Sequence, residues 1–258
     1  VTTADTRAKL LSIAGTGALW RPRENLKVAR MLPRTMSLTE ELVARCFRVV
    51  EDSGPDPDAA HLDDADYDAM ARTLESQLPA NEPLWLFGYG SLIWKPEIEH
   101  VEERVALLRG WHRSFCMKMT RWRGTKESPG LMMALDRGGQ CKGVAFRIGD
   151  GNRRAQLDKI LRREVTLKPT SYHPRLLNMM SDAGPLRALA FVINRQGTTY
   201  AGPLTEEEVV ERLATSCGHW GSGADYLYNT VKNLEQRGIH DAHLWRLQQL
   251  VAARIAAS

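Results

Sequence analysis

Paired cysteines are missing from this chain. Cys46, Cys116, Cys141 and Cys217 stand far apart, with no C-x-x-C among them. That excludes thiolate zinc knuckles and redox dithiols, and 258 residues need no disulfide framework to fold. A reducing, cytoplasmic setting is expected. The seven histidines show neither H-x-x-x-H nor H-E-x-x-H spacing, so no metal site and no cofactor is expected. No apolar run is long enough to span a membrane. Leu10 to Leu19 follows basic residues and mimics an export segment. Gly15, Thr16 and Gly17 dilute it and no clean small-residue cleavage site follows, so it is not read as a leader. Charge of one sign is also lacking. Lys and Arg total 35 against 31 Asp and Glu, a balance too even for a nucleic-acid surface. Neither nucleic acid nor membrane is expected as a partner, and oligomeric state is not legible.

What is present is ordinary globular composition, 43% hydrophobic, enough for one sizeable core with an appended N-terminal region. Residues 1–36 show no steady period. Ser37-Leu38-Thr39-Glu40 reads as a capping box with Ser37 as cap, followed by an amphipathic helix carrying Leu42, Val43, Phe47 and Val50. An acidic connector, Glu51 to Asp68, leads to a second helix over 67–78. Both helices are expected to be outer decoration, making residues 1–81 an N-terminal helical extension and 82–258 the main domain.

In that domain, Leu84 to Phe87 reads as a buried strand. Arg104–Leu108 and Trp111–Met119 read as strands joined at Arg109-Gly110. Leu131–Leu135 and Cys141–Ile148 read as a hairpin around Gly138-Gly139. A helix over about 153–165 follows, then a strand pair turning at Asp182-Ala183-Gly184. Three helices close the chain, capped by Thr205 before the first and Asp241 before the last, with a glycine-rich loop at 217–223. Strands first and helices last give an α+β class with a mostly antiparallel sheet or barrel. The paired methionines of the strands, Met117 to Met180, read as core filler.

Two features carry chemistry. The strand at Leu84 runs into Gly88-Tyr89-Gly90-Ser91, where glycines remove Cβ atoms and let backbone N–H groups approach a ligand. The spacing fits neither a dinucleotide fingerprint, nor a P-loop, nor a nucleophile elbow. A tight turn at a strand end is the competing reading. The second feature is a carboxylate on an apolar face. Leu157, Ile160 and Leu161 recur at i, i+3 and i+4, and Glu164 follows at i+7. Burial there would raise its pKa toward general acid/base use. A rim glutamate paired with Arg162 or Arg163 is the alternative.

Taken together, Phe-Gly-Tyr-Gly-Ser-Leu-Ile-Trp at 87–94, Arg-Gly-Thr at 123–125, Pro-Gly-Leu at 129–131 and Arg-Arg-Glu at 162–164 resemble a known family. So do Tyr-Ala-Gly-Pro-Leu at 200–204 and Asp-Tyr-Leu-Tyr-Asn-Thr at 225–230. The chain is similar, over about residues 82–255, to the ChaC-like γ-glutamylcyclotransferases, in particular a longer bacterial branch. The resemblance implies a small mixed barrel flanked by helices. It also implies a small-molecule substrate, typically glutathione, cleaved to 5-oxoproline and cysteinylglycine. The family's catalytic glutamate falls on Glu164. Its substrate loop falls on Phe87, Gly88, Tyr89, Gly90, Ser91 and Leu92. Arg123, with Arg121 and Lys126, is a candidate for a substrate carboxylate, and Tyr226 and Tyr172 are candidate donors. The chain departs from the animal relatives after the glutamate, where Val165-Thr166-Leu167-Lys168 replaces Lys-Gly-Gly-Tyr. Two other readings stay open: the same cyclisation on another γ-glutamyl amine, and a non-catalytic γ-glutamyl-binding protein.

Overall fold

The computed structural model describes residues 34–79, 81–149 and 151–258. The expected irregular N-terminal stretch and Leu10–Leu19 therefore lie outside the described residues. The first helix, α1 (Glu40–Arg45), is capped by Thr39, whose hydroxyl accepts the Leu42 N–H at 3.4 Å. Ser37 is not the cap. Leu38 is fully buried and its N–H donates to Gln248 Oε1 at 2.8 Å, which ties this part of the chain to the C-terminal helix. The helix also stops before Phe47 and Val50, and Phe47 is exposed. Cys46 turns inward instead, its thiol donating to the Ala214 carbonyl.

A two-residue strand, β1 (Ala60–His61), precedes α2 (Asp64–Gln77), which starts three residues earlier than the apolar period implied. Asp63 and Asp66 form a full capping box. Tyr67, Ala71, Leu74 and Leu78 are buried, and the Tyr67 hydroxyl donates to the Val165 carbonyl at 2.9 Å. This helix therefore packs beside the residue that follows Glu164.

The body is a closed five-stranded barrel made by β2 (Trp85–Gly88), β3 (His100–Met119), β4 (Gly130–Ile148), β6 (Tyr172–Ser181) and β7 (Gly184–Ile193). The order is β2-β4-β3-β6-β7, closed by parallel pairing of Leu86 with Leu189 and Leu135 with Val192. Between the third and fourth of these strands lie α3 (Arg153–Glu164) and the short β5 (Leu167–Lys168), which pairs with β1. Closure leaves no long edge to be covered.

Two expected breaks are absent. Arg109-Gly110 joins no pair of strands and Gly138-Gly139 makes no hairpin, because β3 and β4 run straight through both sites. The register passes from Arg109 opposite Gln140 to Trp111 opposite Arg137, so Gly110 faces two glycines. All three have positive φ, +82°, +102° and +62°. This is a β-bulge, which bends a long ribbon without ending it. Glycines that signal a turn signal a bulge equally well when they fall opposite each other. The true connection between β3 and β4 is the loop 120–129.

The rest of the chain is α4 (Glu206–Thr215), a tight ribbon of β8 (Cys217–Gly218) and β9 (Gly221–Ser222), α5 (Gly223–Gln236) and α6 (Ala242–Ala256). Thr205, Ser222 and Asp241 cap the three helices. Leu244, Leu247, Val251 and Ile255 are buried within the chain, each contributing about 1.5–3 kcal/mol. The expected loop at 217–223 is thus a ribbon that delivers α5 against the barrel. Met180, expected in the core, is 55% exposed. Among the described residues no helix is long and apolar enough to cross a membrane.

Candidate active site

The site is built where α3, the loop after β2 and the start of α5 converge. Asn152 caps α3, its side chain accepting the Ala155 N–H at 3.1 Å. From there Leu157, Ile160 and Leu161 bury one face, and the same face carries Glu164 into the last turn. Glu164 is one wall of a cavity of about 630 Å³, a volume usual for small-molecule sites. Its side chain is 15% exposed.

Burial raises the Glu164 pKa, the Arg163 guanidinium opposes the rise and Glu97 adds to it. Arg163 turns back toward Glu164. Its Nε lies 3.0 Å from Glu164 Oε1, and its other nitrogens donate to the carbonyls of Lys95 and Pro96. Glu164 is therefore both paired and largely buried, so the two competing sequence readings each hold part of the truth.

The glycine loop shares that cavity. Tyr89, Gly90, Ser91 and Leu92 line the same cavity. Phe87 and Gly88 do not. They belong to β2, with Phe87 fully buried, and a Cβ on Gly88 would lie 2.8 Å from the Phe146 ring. Their part is to anchor the loop. Residues 91–93 form a short 3-10 turn whose first bond runs from the Ile93 N–H to the Gly90 carbonyl. A turn of this kind leaves its first N–H groups without partners inside the turn.

Tyr226 stands at the centre. Its ring meets Trp94 and Phe115 edge-on, each at 6.0 Å between centroids. Burial pushes its hydroxyl up to about 12, with Arg123 opposing, so it stays a proton donor at neutral pH. Tyr89 and Tyr172 also line the cavity, and their hydroxyls donate to the carbonyls of Phe191 and Met133. Both are likewise raised by burial.

The basic residues divide. Arg123 is 7% exposed, with Nη1 held by the Ser222 carbonyl at 2.8 Å and by Asp225 Oδ2 at 2.7 Å. Its guanidinium lies over the rings of Trp94 and Tyr226. Arg121 lines the cavity but is bound by Asp52. Lys126 pairs with Asp56 and is not in the wall. Met117, Met119, Met132 and Met133, expected as core filler, also line the cavity.

Several residues here had no signal in the sequence. Arg113 is buried and donates to the Tyr89 carbonyl at 2.7 Å and to Asp241 at 2.8 Å, linking the loop to the α6 cap. Glu97 and Trp122, both in the wall, hold φ of +51° and +53°, a conformation that costs energy for side chains of this size. Among the described residues, no three His, Cys, Asp or Glu gather as a metal would require.

Comparison with known proteins decides the family. The ChaC-like protein model matches residues 84–254. The chain belongs to the ChaC-like family. A relative from Escherichia coli, named glutathione-specific gamma-glutamylcyclotransferase, is 32% identical over 174 residues. That match covers 67% of this chain and 74% of the relative. A human protein, glutathione-specific gamma-glutamylcyclotransferase 1, is 32% identical over 191 residues, covering 68% and 83%. In three dimensions the ChaC-like barrel matches the yeast crystal structure of a gamma-glutamyl cyclotransferase specific to glutathione. The TM-score is 0.60 at 21% identity, covering 67% of this chain and 97% of that one. The ChaC-like match begins at 84, so α1, α2 and the acidic connector precede it.

Proposed function

We propose that this protein is a γ-glutamylcyclotransferase that cleaves glutathione to 5-oxoproline and cysteinylglycine, with Glu164 as the general acid/base. One observation supports this most: a buried carboxylate and the glycine loop line one cavity. The E. coli and human relatives carry that activity in their names.

A γ-glutamyl group contains its own nucleophile. The α-amine curls back on the γ-carbonyl carbon and closes a five-membered ring. Glu164 takes a proton from the α-ammonium, and the freed amine attacks. The carbonyl oxygen becomes an oxyanion, facing the loop donors from Tyr89 to Leu92 and the Tyr226 hydroxyl. The C–N bond to cysteine breaks as Glu164 returns that proton to the departing nitrogen. Glu164 then takes the second proton from the ring nitrogen, leaving the neutral lactam, and passes it to the freed amine, which departs as the ammonium. Atoms and charge balance with no water consumed and no further reactant. Holding the chain curled is a large part of the work, about 7–11 kcal/mol for a well-oriented ring closure. Arg123, stacked on Tyr226 and Trp94, fixes that wall.

Residues 82–258 are the catalytic domain in this reading, with 1–81 an extension upon it. The reaction is assigned to the cytoplasm, in keeping with four free, buried thiols.

Incubation with glutathione is expected to release 5-oxoproline, and absence of that product would refute the proposal. The pH profile is a second check. Glu164 acts as a base when ionised, and its pKa is raised. The acid limb of kcat/KM is therefore expected above the ordinary carboxylate range. Replacing Arg163 with Met removes the charge that opposes the rise, so the limb moves to higher pH still. An acid limb at the usual carboxylate value in both proteins would contradict this role.

A second reading keeps the chemistry and changes the leaving group. Thr166 and Leu167 line the cavity where the animal relatives carry other residues, so another γ-glutamyl amine or dipeptide is the alternative substrate. A panel of γ-glutamyl compounds compared by kcat/KM separates the two.

A further inference from the structure

The cations of the cavity wall are mostly neutralised inside it. Arg123 pairs with Asp225, Arg163 with Glu164 and Lys95 with Glu97. Arg121 differs, because its partner comes from outside the wall. Asp52, in the acidic connector that precedes the ChaC-like region, holds Arg121 Nε at 2.7 Å and Nη2 at 2.6 Å.

This pairing has a defined geometry. A guanidinium has two edges able to grip a carboxylate, one made by Nε and Nη2, the other by Nη1 and Nη2. Asp52 occupies the first, which leaves the second for a ligand. Asp52 is itself fixed, for it accepts the Gly54 N–H at 3.1 Å and lies 3.5 Å from His219 Nδ1. Arg121 holds the Asp52 carboxyl down to about 2, so it stays ionised across any working pH. Four residues further on, Asp56 meets Lys126 at 3.5 Å, a second tie between the connector and the loop that bears Arg121. Both pairs are partly exposed and worth little as stability. What they supply is aim.

The neighbourhood suits an anion. Lys118 lines the same cavity and adds a second cation to it. Arg121 lies over the Trp122 ring, which packs on Trp220 at 5.6 Å, so the guanidinium rests on a firm aromatic shelf. The cavity thus has an acid/base carboxylate in one wall and a partly engaged cationic fork in another.

We infer that Arg121, aimed by Asp52, binds a carboxylate on the leaving half of the substrate. The enzyme then favours γ-glutamyl peptides with a free C-terminal carboxylate over γ-glutamyl amides without one. Arg121 is the specificity residue and Asp52 is its positioning residue, supplied by a part of the chain outside the family match. The inference rests on the cyclotransferase reading above and sharpens its substrate class.

The test measures kcat/KM for glutathione and for glutathione amidated at its glycine carboxylate, in wild type, Arg121→Gln and Asp52→Asn. The ratio of the two values is the readout. A merely structural defect lowers both substrates together and leaves the ratio where it was. Arg121→Gln is expected to lower the ratio about tenfold, chiefly through KM for glutathione, equivalent to about 1.4 kcal/mol. Asp52→Asn is expected to lower it in the same direction by a smaller factor. An unchanged ratio in Arg121→Gln overturns the inference while the cyclotransferase reading stands. A lowered ratio in Arg121→Gln alone overturns the part given to Asp52. If wild type turns over neither substrate, both readings fall.

Discussion

Glu164→Gln is expected to lower the rate of 5-oxoproline formation by about 10²–10⁴-fold, the range for removing a positioned acid/base. The same variant is expected to melt no lower than wild type at pH 7. The two results belong together. Burial raises the carboxyl pKa in the folded protein above its value in the unfolded chain. The folded state therefore keeps a proton that the unfolded state releases. The stability linked to that proton is full below the unfolded value and is lost as pH rises through the folded one. Above the unfolded value the carboxyl therefore burdens the fold, and a neutral isostere removes the burden. Arg163 keeps the carbonyls of Lys95 and Pro96, so it is not left bare. The melting difference should shrink as pH falls below the ordinary carboxylate range. A variant that loses activity and stability together would make Glu164 a structural residue.

Gly90→Ala is expected to cut kcat/KM by about a hundredfold, because a small misplacement near the reacting atoms is costly. A Cβ at this position would stand 2.6 Å from the Tyr226 hydroxyl oxygen. Tyr226 has little room to retreat. It is 1% exposed and meets Trp94 and Phe115 edge-on. The loop or the tyrosine must shift, and either moves a donor. The next atom of that ring, Cζ, is 3.8 Å away, an ordinary contact. Removing the hydroxyl therefore removes the clash. The double variant Gly90→Ala/Tyr226→Phe should match Tyr226→Phe alone, a strongly non-additive pair. Gly151→Ala, with nothing within 4 Å of the new Cβ, is the control and should behave as wild type. Full activity in Gly90→Ala would show that the close approach has no catalytic meaning.

How much of this was legible beforehand follows from the range of each signal. The period of Leu157, Ile160, Leu161 and Glu164 is local, and it correctly put a carboxylate on the buried side of α3. The helix starts at Thr205 and Asp241 are local too, and both caps are where their side chains implied. Glycine was legible as a break but not as which kind. Gly110 and Gly138-Gly139 are separated by a long stretch of sequence, and only their pairing across two strands makes them a bulge. Ser37 lost its capping role to a bond between Leu38 and Gln248 that no local window contains.

The site shows the same division. Tyr89 to Leu92, Tyr226 and Glu164 came from motifs, and all line one cavity. Their neutralising partners did not. Asp52 with Arg121, Asp225 with Arg123, and Asp241 with Arg113 each join residues far apart in the chain. An ion pair has no period, so it leaves no trace in spacing. Arg163 was legible only as one of two candidate partners of Glu164. Adjacent helical residues point about a hundred degrees apart, yet a long guanidinium at a helix end reaches back to its neighbour's carboxylate.

Ring closure itself is tested most directly by isotope. The reaction is run on glutathione in water enriched in oxygen-18, and the products are weighed by mass spectrometry. Cyclisation predicts 5-oxoproline of unlabelled mass together with cysteinylglycine, since no water oxygen enters either product. Release of glutamate carrying the heavy oxygen would mean that water, not the substrate's own amine, attacks the carbonyl, and would contradict the account.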